Sequence, residues 1–267
     1  MRFQYFVDSL SIVAFFVAFT VVALITSELG YRLGRWWQMR TPEEKEGPTS
    51  MIVGSLLALL AFMLAITMGM ASDRFDTRRN LVLTEANSVG TTYLRAGYLP
   101  EPASSKIRDL IRDYAPLRVM TSDRADFQTK VARSVEIQNK IWSIAEELAR
   151  ATPDSDVLAL FITSLNEMID LHQTRVTAGQ YARVPETILI LLLTCSMLTL
   201  AMVGYNAGLT LRRSPLTAAI LIIVLGAVIT LVVDLDRPQR GFLKVSQQPL
   251  IDLAQQIGQM PSESPSK

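Results

Sequence analysis

The sequence predicts an all-α integral membrane protein with four transmembrane helices and a helical, cytoplasmic extramembrane region inserted between the second and third. Four apolar runs are each about long enough to cross the roughly 30 Å apolar core of a bilayer. They lie at residues 9–26, 51–71, 187–208 and 216–233. Charged residues are instead spread through residues 72–185. No stretch shows the alternation of period two that is typical of a half-buried strand, so we expect only helices.

The composition excludes several classes of protein. Hydrophobic residues make up 49% of the 267 residues and charged residues 19%. The formal net charge is only +1, whereas nucleic-acid binding requires a strongly basic face, so no nucleic-acid partner is expected. The single cysteine, Cys195, excludes an intrachain disulfide and a multi-cysteine metal site. We expect it to be a small buried hydrophobic residue of the third run.

Residues 1–50 are predicted to hold the first transmembrane helix and an interfacial loop. The apolar run is long for a cleaved secretory signal, and no A-x-A cleavage site follows it. Trp36 and Trp37 prefer the headgroup level of a membrane, so the loop is expected to lie along the surface. Gly47 and Pro48 then end the loop.

Residues 51–99 are predicted to form one helix that crosses the membrane and continues beyond it. No proline interrupts this stretch, and a helix of that length extends roughly 70 Å at about 1.5 Å per residue. Projection at about 100° per residue separates three faces. One face consists of small residues, namely Gly54, Ala58, Ala61, Ala65, Gly69 and Ser72. Small residues let membrane helices approach closely, so this face is predicted to mediate helix packing.

A second face changes from bulky apolar residues to mostly uncharged hydrogen-bonding residues. The apolar part consists of Leu59, Phe62, Ile66 and Met70, and the polar part of Asp73, Thr77, Asn80, Thr84, Asn87, Thr91 and Arg95. A water-filled pore with a hydrophobic constriction requires such a face. A membrane helix whose polar face merely meets water would show the same pattern, so both interpretations stay open. The third face is apolar, with Phe75, Val82, Val89 and Tyr93, and is expected to pack on protein.

Residues 100–185 are predicted to form the helical extramembrane region. Pro100 and Pro102 end the long helix, because proline fixes φ and removes a backbone donor. Apolar residues at helical spacing predict helices over 104–119, 123–150 and 153–180. The last of these is expected to begin at Thr152-Pro153-Asp154, which supplies a cap, a proline in the first turn and an early acid.

Residues 186–235 are predicted to hold the third and fourth transmembrane helices, with Pro185 at the start. Residues 236–267 are expected to form a C-terminal amphipathic segment from Pro249 and a disordered tail. Four spans place both termini and the large region on one side of the membrane. The distribution of arginine and lysine favours the cytoplasm for that side, and hence a multi-pass protein of the inner (plasma) membrane.

Asp234 and Asp236 end the fourth span, and Arg237 follows directly. Acidic groups at a membrane edge are costly unless they are paired or solvated, so they are candidate functional residues. Two carboxylates fall short of the roughly six to eight oxygens that Ca²⁺ takes, so no metal is predicted. Ion pairing at the membrane edge is favoured instead, with Arg74, Arg78 or Arg79 as the partner.

No pattern indicates catalysis, so neither a catalytic residue nor a cofactor is predicted. Glu167 and His172 diverge by about 140° on a helix, whereas metal-binding helices place their ligands on one face. His172 is expected to form a hydrogen bond at a helix surface or between helices. Glu85 and Arg95 interrupt the soluble half of the long helix, and we expect them to pair with neighbouring helices.

Three blocks of the sequence are distinctive, namely FDTRRNLVLTEANSVGTTYLRAGYLPEP, NEMIDLH and VDLDRPQRGFLKVSQQPL. Together they resemble the bestrophin-like domain family of membrane proteins over about residues 50–255. The name implies kinship with bestrophins, which are pentameric anion channels with four spans and a helical cytosolic region. In bestrophins the second span carries a neck of three bulky apolar side chains, so the resemblance implies a pore constriction at Phe62, Ile66 and Met70. The acidic calcium-binding cluster of bestrophins has no counterpart beyond Asp234 and Asp236.

The leading hypothesis is a passive channel for small anions of the chloride type, with the Thr/Asn line as its conduit. Copies of the chain would pack in the lipid bilayer as a ring-like homo-oligomer through the small-residue face, a pentamer by resemblance. The alternative is a non-conducting membrane scaffold or sensor whose cytoplasmic helices bind a protein partner. An intramembrane hydrolase ranks third.

Overall fold

The computed structural model describes residues 7–41, 46–120, 123–211, 214–238 and 241–259. Within these ranges every regular element is a helix, as the sequence predicts. The helices are α1 (Ile12–Arg40), α2 (Glu46–Ala96), α3 (Ala103–Leu117), α4 (Arg124–Ala151), α5 (Asp156–Tyr181), α6 (Glu186–Leu209), α7 (Pro215–Asp236) and α8 (Gln248–Gln259). The predicted disordered tail lies outside the described residues.

Four helices, α1, α2, α6 and α7, are long and apolar enough to cross a membrane. Large apolar side chains on their outer faces are exposed, such as Val17 of α1, Leu198 of α6 and Val224 of α7. Exposed apolar area of this kind is unfavourable in water. These faces are therefore suited to lipid, and the four predicted spans are confirmed as helices.

The chain divides into two compact units, and the boundary between them falls inside α2. The first unit consists of the described residues of 1–75 and 183–243. The second consists of those of 76–182 and 244–267. Each unit has a core of its own.

In the first unit, α1 and α6 pack with their backbones in close contact. A Cβ atom on Gly30 would lie 2.1 Å from a carbonyl oxygen of α6, and one on Gly204 would lie 2.1 Å from a carbonyl oxygen of α1. Gly34 and Gly208 repeat these contacts one turn further on. The sequence patterns Gly30-x-x-x-Gly34 and Gly204-x-x-x-Gly208 indicate this packing. This contact between α1 and α6 was not predicted from the sequence.

The second unit has a hydrophobic core formed by α2, α3, α4, α5 and α8. One cluster contains Tyr93 of α2, Ile111 of α3, Ile141 of α4, Phe161 of α5 and Ile257 of α8. Each of these side chains is at most 2% exposed. Burial of one such side chain contributes roughly 1.5–3 kcal/mol. The C-terminal helix α8 thus packs into this core through Ile257.

Two helices of the first unit are longer than the sequence predicts. α1 continues to Arg40, so Trp36 and Trp37 lie on a helix rather than in a loop. The Arg40 guanidinium lies 4.0 Å from the centroid of the Trp36 ring, which is a favourable cation–π arrangement. α2 begins at Glu46, because a proline such as Pro48 is tolerated in the first turn of a helix.

The predicted start of α5 is wrong. The helix begins at Asp156, and the Ser155 hydroxyl accepts a hydrogen bond from the Leu158 N–H at 3.3 Å. Thr152 instead caps the C-terminus of α4, where its N–H donates to the Leu148 carbonyl at 2.8 Å. Thr152 carries a hydroxyl that suits either end of a helix, so its residue type did not decide between the two roles.

Candidate functional site

α2 buries one side within the first unit and leaves another exposed. Leu60, Thr67 and Ala71 are at most 3% exposed. Phe62 and Ile66, in contrast, are 64% and 48% exposed. Two of the three residues that the resemblance assigns to a pore constriction are therefore exposed rather than buried inside the first unit.

Met70, the third residue of this edge, is half-buried. It packs against a cluster that includes Ala71, Val184 and Leu189. Because Phe62, Ile66 and Met70 follow one another every four residues, they lie along one side of the helix. Met70 differs from the other two in that part of its surface serves packing within the unit.

The small-residue face of α2 is also exposed. Gly54, Ala58, Ala61, Ala65 and Gly69 all belong to it. A Cβ atom on Gly54 or Gly69 would meet nothing within 4 Å, unlike the glycines of α1 and α6. No part of the described chain packs on this face. A strip of small residues on a membrane helix is suited to close packing against another helix.

In the second unit, the predicted polar line forms a stripe along α2. Its members range from half-buried to exposed and are Thr77, Asn80, Thr84, Asn87, Thr91 and Arg95. Thr84 Oγ1 donates to the Asn80 carbonyl at 3.0 Å. The Arg95 guanidinium donates to the Leu160 carbonyl at 2.9 Å, so its charge is held against α5. The stripe presents hydroxyl groups, amides and one cation.

The carboxylate of Asp236 has a different partner from the one the sequence predicts. It accepts hydrogen bonds from Arg183 Nε at 3.1 Å and from the Val184 backbone N–H at 2.7 Å. Arg183 also donates to both carboxylate oxygens of Asp8, at 2.6 and 3.0 Å. Asp236 pairs with Arg183 rather than with an arginine of α2, because the segment before α6 supplies both a guanidinium and a backbone donor.

Asp234 holds the turn that follows α7. Its two carboxylate oxygens accept the backbone N–H groups of Phe242 at 3.1 Å and Leu243 at 2.9 Å. Gly241 has a φ of +134°, and a Cβ atom there would lie 1.9 Å from Asp234 Oδ1. Glycine is therefore required in this turn. The role of Asp234 is to bind backbone donors, not an arginine of α2.

Two arginines of the predicted ion-paired group, Arg237 and Arg78, bind backbone carbonyls, and Arg237 Nε also lies 3.8 Å from Asp8 Oδ1. Arg237 donates to two carbonyl oxygens of the N-terminal segment, at 2.6 and 3.0 Å. Arg78 is buried and donates to the Ala182 carbonyl at 3.2 Å. Arg79 is exposed. The two carboxylates of α7 instead have partners within the first unit.

A buried charged cluster occupies the second unit. Glu85 of α2 is fully buried and accepts hydrogen bonds from Arg118 Nε at 2.6 Å and from Arg175. Arg175 also donates to the Arg118 carbonyl at 3.0 Å and to Gln247 Oε1 at 2.5 Å. The expected pairing of Glu85 with neighbouring helices is confirmed. Glu85 lies three residues after the apolar Val82 and therefore on the same side of α2. A carboxylate on a buried side requires buried cations as partners, so this spacing could have predicted the cluster.

His172 and Tyr114 extend this cluster. The Tyr114 hydroxyl lies 3.3 Å from His172 Nδ1 and accepts from Gln138 Nε2 at 3.1 Å. This confirms the expected inter-helix hydrogen bond of His172. Burial lowers the pKa of His172 to about 3, and the Arg118 and Arg175 guanidiniums act in the same direction. Burial raises the pKa of Tyr114 well above its ordinary value, so both side chains are neutral at physiological pH.

Comparisons with known proteins agree with this architecture. The family model for the Bestrophin-like domain matches residues 14–250. No curated protein sequence matches the chain.

Crystal structures of a bacterial bestrophin homolog from Klebsiella pneumoniae have a similar fold. One aligns with a TM-score of 0.68 and 16% identity over 93% of this chain and 96% of its own. A second aligns with a TM-score of 0.66 and 14% identity over 90% and 97%. A third aligns with a TM-score of 0.65 and 15% identity over 94% and 100%. At identities this low, the comparison shows a similar fold and no more than that.

Proposed function

This chain belongs to the Bestrophin-like domain family, and from that membership we propose that it forms an oligomeric, passive channel for small anions. The observation that carries the proposal is the exposed edge of α2, where Phe62 and Ile66 are 64% and 48% exposed while Thr67 is 1% exposed. The similarity of fold to a bacterial bestrophin homolog over nearly the whole chain supports it.

Three consecutive residues of α2 support a ring of subunits. Neighbouring residues on a helix point about 100° apart. Thr67 is directed into its own unit, Ile66 is exposed, and Ala65 lies on the exposed small-residue face. In a ring, the Ala65 side would contact the next copy and the Ile66 side would face the common axis. Repeated head-to-tail contacts close into a ring when the rotation between neighbouring copies is a whole-number fraction of a full turn. A pentamer is the expected case.

The constriction of this channel consists of Phe62, Ile66 and Met70, one set from each copy. Rings of apolar side chains exclude water and ions until they widen, so they gate by dewetting. The conduit continues along the Thr/Asn line of α2, whose hydroxyl and amide groups replace part of the hydration shell. Arg95 at its end attracts anions of the chloride type.

The proposal includes a location in the inner (plasma) membrane, with the second unit and both termini in the cytoplasm. Support comes from the four apolar helices and from the excess of arginine on that side. The lipid bilayer and other copies of the chain are then its partners.

Chloride flux through liposomes tests this function. The purified protein is expected to pass chloride, and Ile66→Ala is expected to raise the flux several-fold because the constriction loses its bulk. Ile223→Ala is the matched control, since Ile223 is a 51% exposed isoleucine of α7, outside the proposed pore. Absence of flux, or equal flux from the two variants, would contradict the proposal.

One observation favours the alternative of a non-conducting scaffold. Val135 and Trp142 are seven residues apart on α4 and are 41% and 40% exposed, so two apolar side chains are exposed on one side of the helix. A scaffold predicts that the wild-type protein passes no chloride. It also predicts that Trp142→Ala releases a co-purifying protein without unfolding the chain.

A further inference from the structure

Three buried polar atoms in or beside the charged cluster of the second unit lack a hydrogen-bond partner. They are Arg118 Nη2, His172 Nε2 and Ser88 Oγ. Arg118 and His172 are 2% exposed, and Ser88 is 4% exposed. Most buried polar groups in proteins are hydrogen-bonded, so three exceptions in one region require an explanation.

The register of α2 against α5 places Ser88 opposite the part of α5 that contains His172. Glu85 of α2 bonds Arg175 of α5, and Thr92 Oγ1 donates to the Ser164 carbonyl at 3.0 Å. The two helices are therefore antiparallel. Ser88 lies between Glu85 and Thr92, so it faces the part of α5 between residues 164 and 175. His172 lies in that part, one turn from Arg175.

Arg118 reaches the same region from the end of α3. Its Nε bonds Glu85 at 2.6 Å, and its guanidinium carbon lies 5.8 Å from the centroid of the Tyr114 ring. The Tyr114 hydroxyl in turn bonds His172. Arg118 is thus linked to both Glu85 and the Tyr114–His172 pair, and Ser88 lies one turn after Glu85 on the same side of α2.

All three unpartnered atoms can donate a hydrogen bond. The Tyr114 hydroxyl accepts from Gln138, and we assign its own proton to the bond with His172 Nδ1. Neutral His172 then carries its remaining proton on Nε2. Arg118 Nη2 is a donor in every state, and the Ser88 hydroxyl can donate as well.

The charge of the cluster also has the sign that an anion requires. Among the described residues, its hydrogen bonds join two guanidiniums, those of Arg118 and Arg175, to the single carboxylate of Glu85. The excess is one positive charge, inside a protein core where an unbalanced charge is unfavourable. A water molecule would satisfy the donors but would leave this charge in place.

We propose that Arg118, His172 and Ser88 form an internal binding site for one small monovalent anion of the halide class. The anion accepts hydrogen bonds from the two nitrogen atoms and the hydroxyl, and it balances the second guanidinium. The site lies within the second unit and does not depend on the proposed pore.

Thermal unfolding of the full-length protein in detergent tests the site with bromide as the probe. At constant ionic strength, replacement of sodium gluconate by sodium bromide is expected to raise the Tm with saturation, because the ligand binds the folded chain. Gluconate is the reference anion because it is much larger than a halide. Ser88→Ala is expected to raise the half-saturating bromide concentration about five-fold. Ser196→Ala, at a buried serine of α6 with a backbone partner, is the control and is expected to leave it unchanged.

Anomalous scattering from crystals grown in bromide provides the direct measurement. The site predicts a bromide peak between Arg118, His172 and Ser88. A Tm that is the same in bromide and gluconate, together with no anomalous peak there, would overturn the proposal, and so would a water as the sole occupant. Binding is measured without ion transport, so a failure of the proposed channel would leave this result unaffected.

Discussion

The two units of this chain hold their helices together by different means. In the first unit, α1 and α6 touch backbone to backbone through Gly30, Gly34, Gly204 and Gly208. In the second, aliphatic and aromatic side chains fill a core beside the buried Glu85 cluster. Lipid does not drive apolar surfaces together, so close backbone packing is needed there. Water does drive them together, and burial then suffices.

The exposed faces of the two units also differ in chemistry, and α2 contributes to both of them. In the first unit, the predicted pore edge and the small-residue face expose Phe62, Ile66 and small residues. In the second unit, the predicted polar line exposes Asn80, Thr84 and similar polar groups, and Leu83 and Leu94 are exposed beside it. The exposed edge of one helix thus changes chemistry at the boundary between two packing environments, and this change is the basis of the proposed channel.

The largest effect is expected from Glu85→Ala, which breaks the cluster that distinguishes the second unit. Two buried guanidiniums lose their carboxylate, which is expected to destabilise the fold by about 3–5 kcal/mol. Unfolding of the full-length protein in detergent measures this loss. Glu136→Ala, which removes an exposed carboxylate paired with Arg133 and Lys140, is expected to cost far less, because solvent-exposed ion pairs contribute little to stability. Equal losses would show that the buried cluster does not hold the unit together.

Gly204→Ala tests the backbone contact of the first unit. The new methyl group would meet a carbonyl oxygen of α1, so a loss of about 1–3 kcal/mol is expected from the forced separation of the helices. Gly69→Ala is the matched control, because nothing lies within 4 Å of the added atom. It is expected to leave the melting temperature unchanged and to weaken only the oligomer, as measured by mass in detergent. A Gly204→Ala protein as stable as Gly69→Ala would rule out the close packing of α1 and α6.

Acidification is expected to destabilise the second unit, because this unit contains a buried neutral histidine. The folded-state pKa of His172 is lowered to about 3 from the ordinary value of 6.5. Between these pH values the unfolded chain binds a proton that the folded chain does not, so stability falls as the pH falls. The contribution is up to about 1.4 kcal/mol per pH unit. His172→Gln is expected to lose this part of the slope, and an unchanged slope would contradict the burial of a neutral His172.

Features that depend on local pattern could be predicted from the sequence. Hydropathy gave the four spans, and helical periodicity gave the buried faces of α2 and α8, including Val82, Val89 and Ile257. Features that depend on distant segments could not. Asp236 pairs with Arg183, which lies 53 residues before it, and nothing in the local pattern of α7 favours Arg183 over Arg78.

The exposed edge of α2 is an intermediate case. Periodicity alone groups Phe62, Ile66 and Met70 on one side of the helix. That Met70 is half-buried follows from its packing against a cluster that includes Val184 and Leu189, which are distant in sequence. Whether Phe62 and Ile66 meet an aqueous axis depends on contacts between copies, which no local pattern specifies.

Cysteine accessibility tests the channel most directly, because Cys195 is the single native cysteine. In a Cys195→Ala background, Ile66→Cys is expected to react with a charged, membrane-impermeant thiol reagent and to lose most of its chloride flux. Ile223→Cys, exposed on α7, is expected to keep its flux under the same treatment. If the Ile66→Cys protein conducts chloride and the reagent leaves that flux unchanged, α2 does not line the pore.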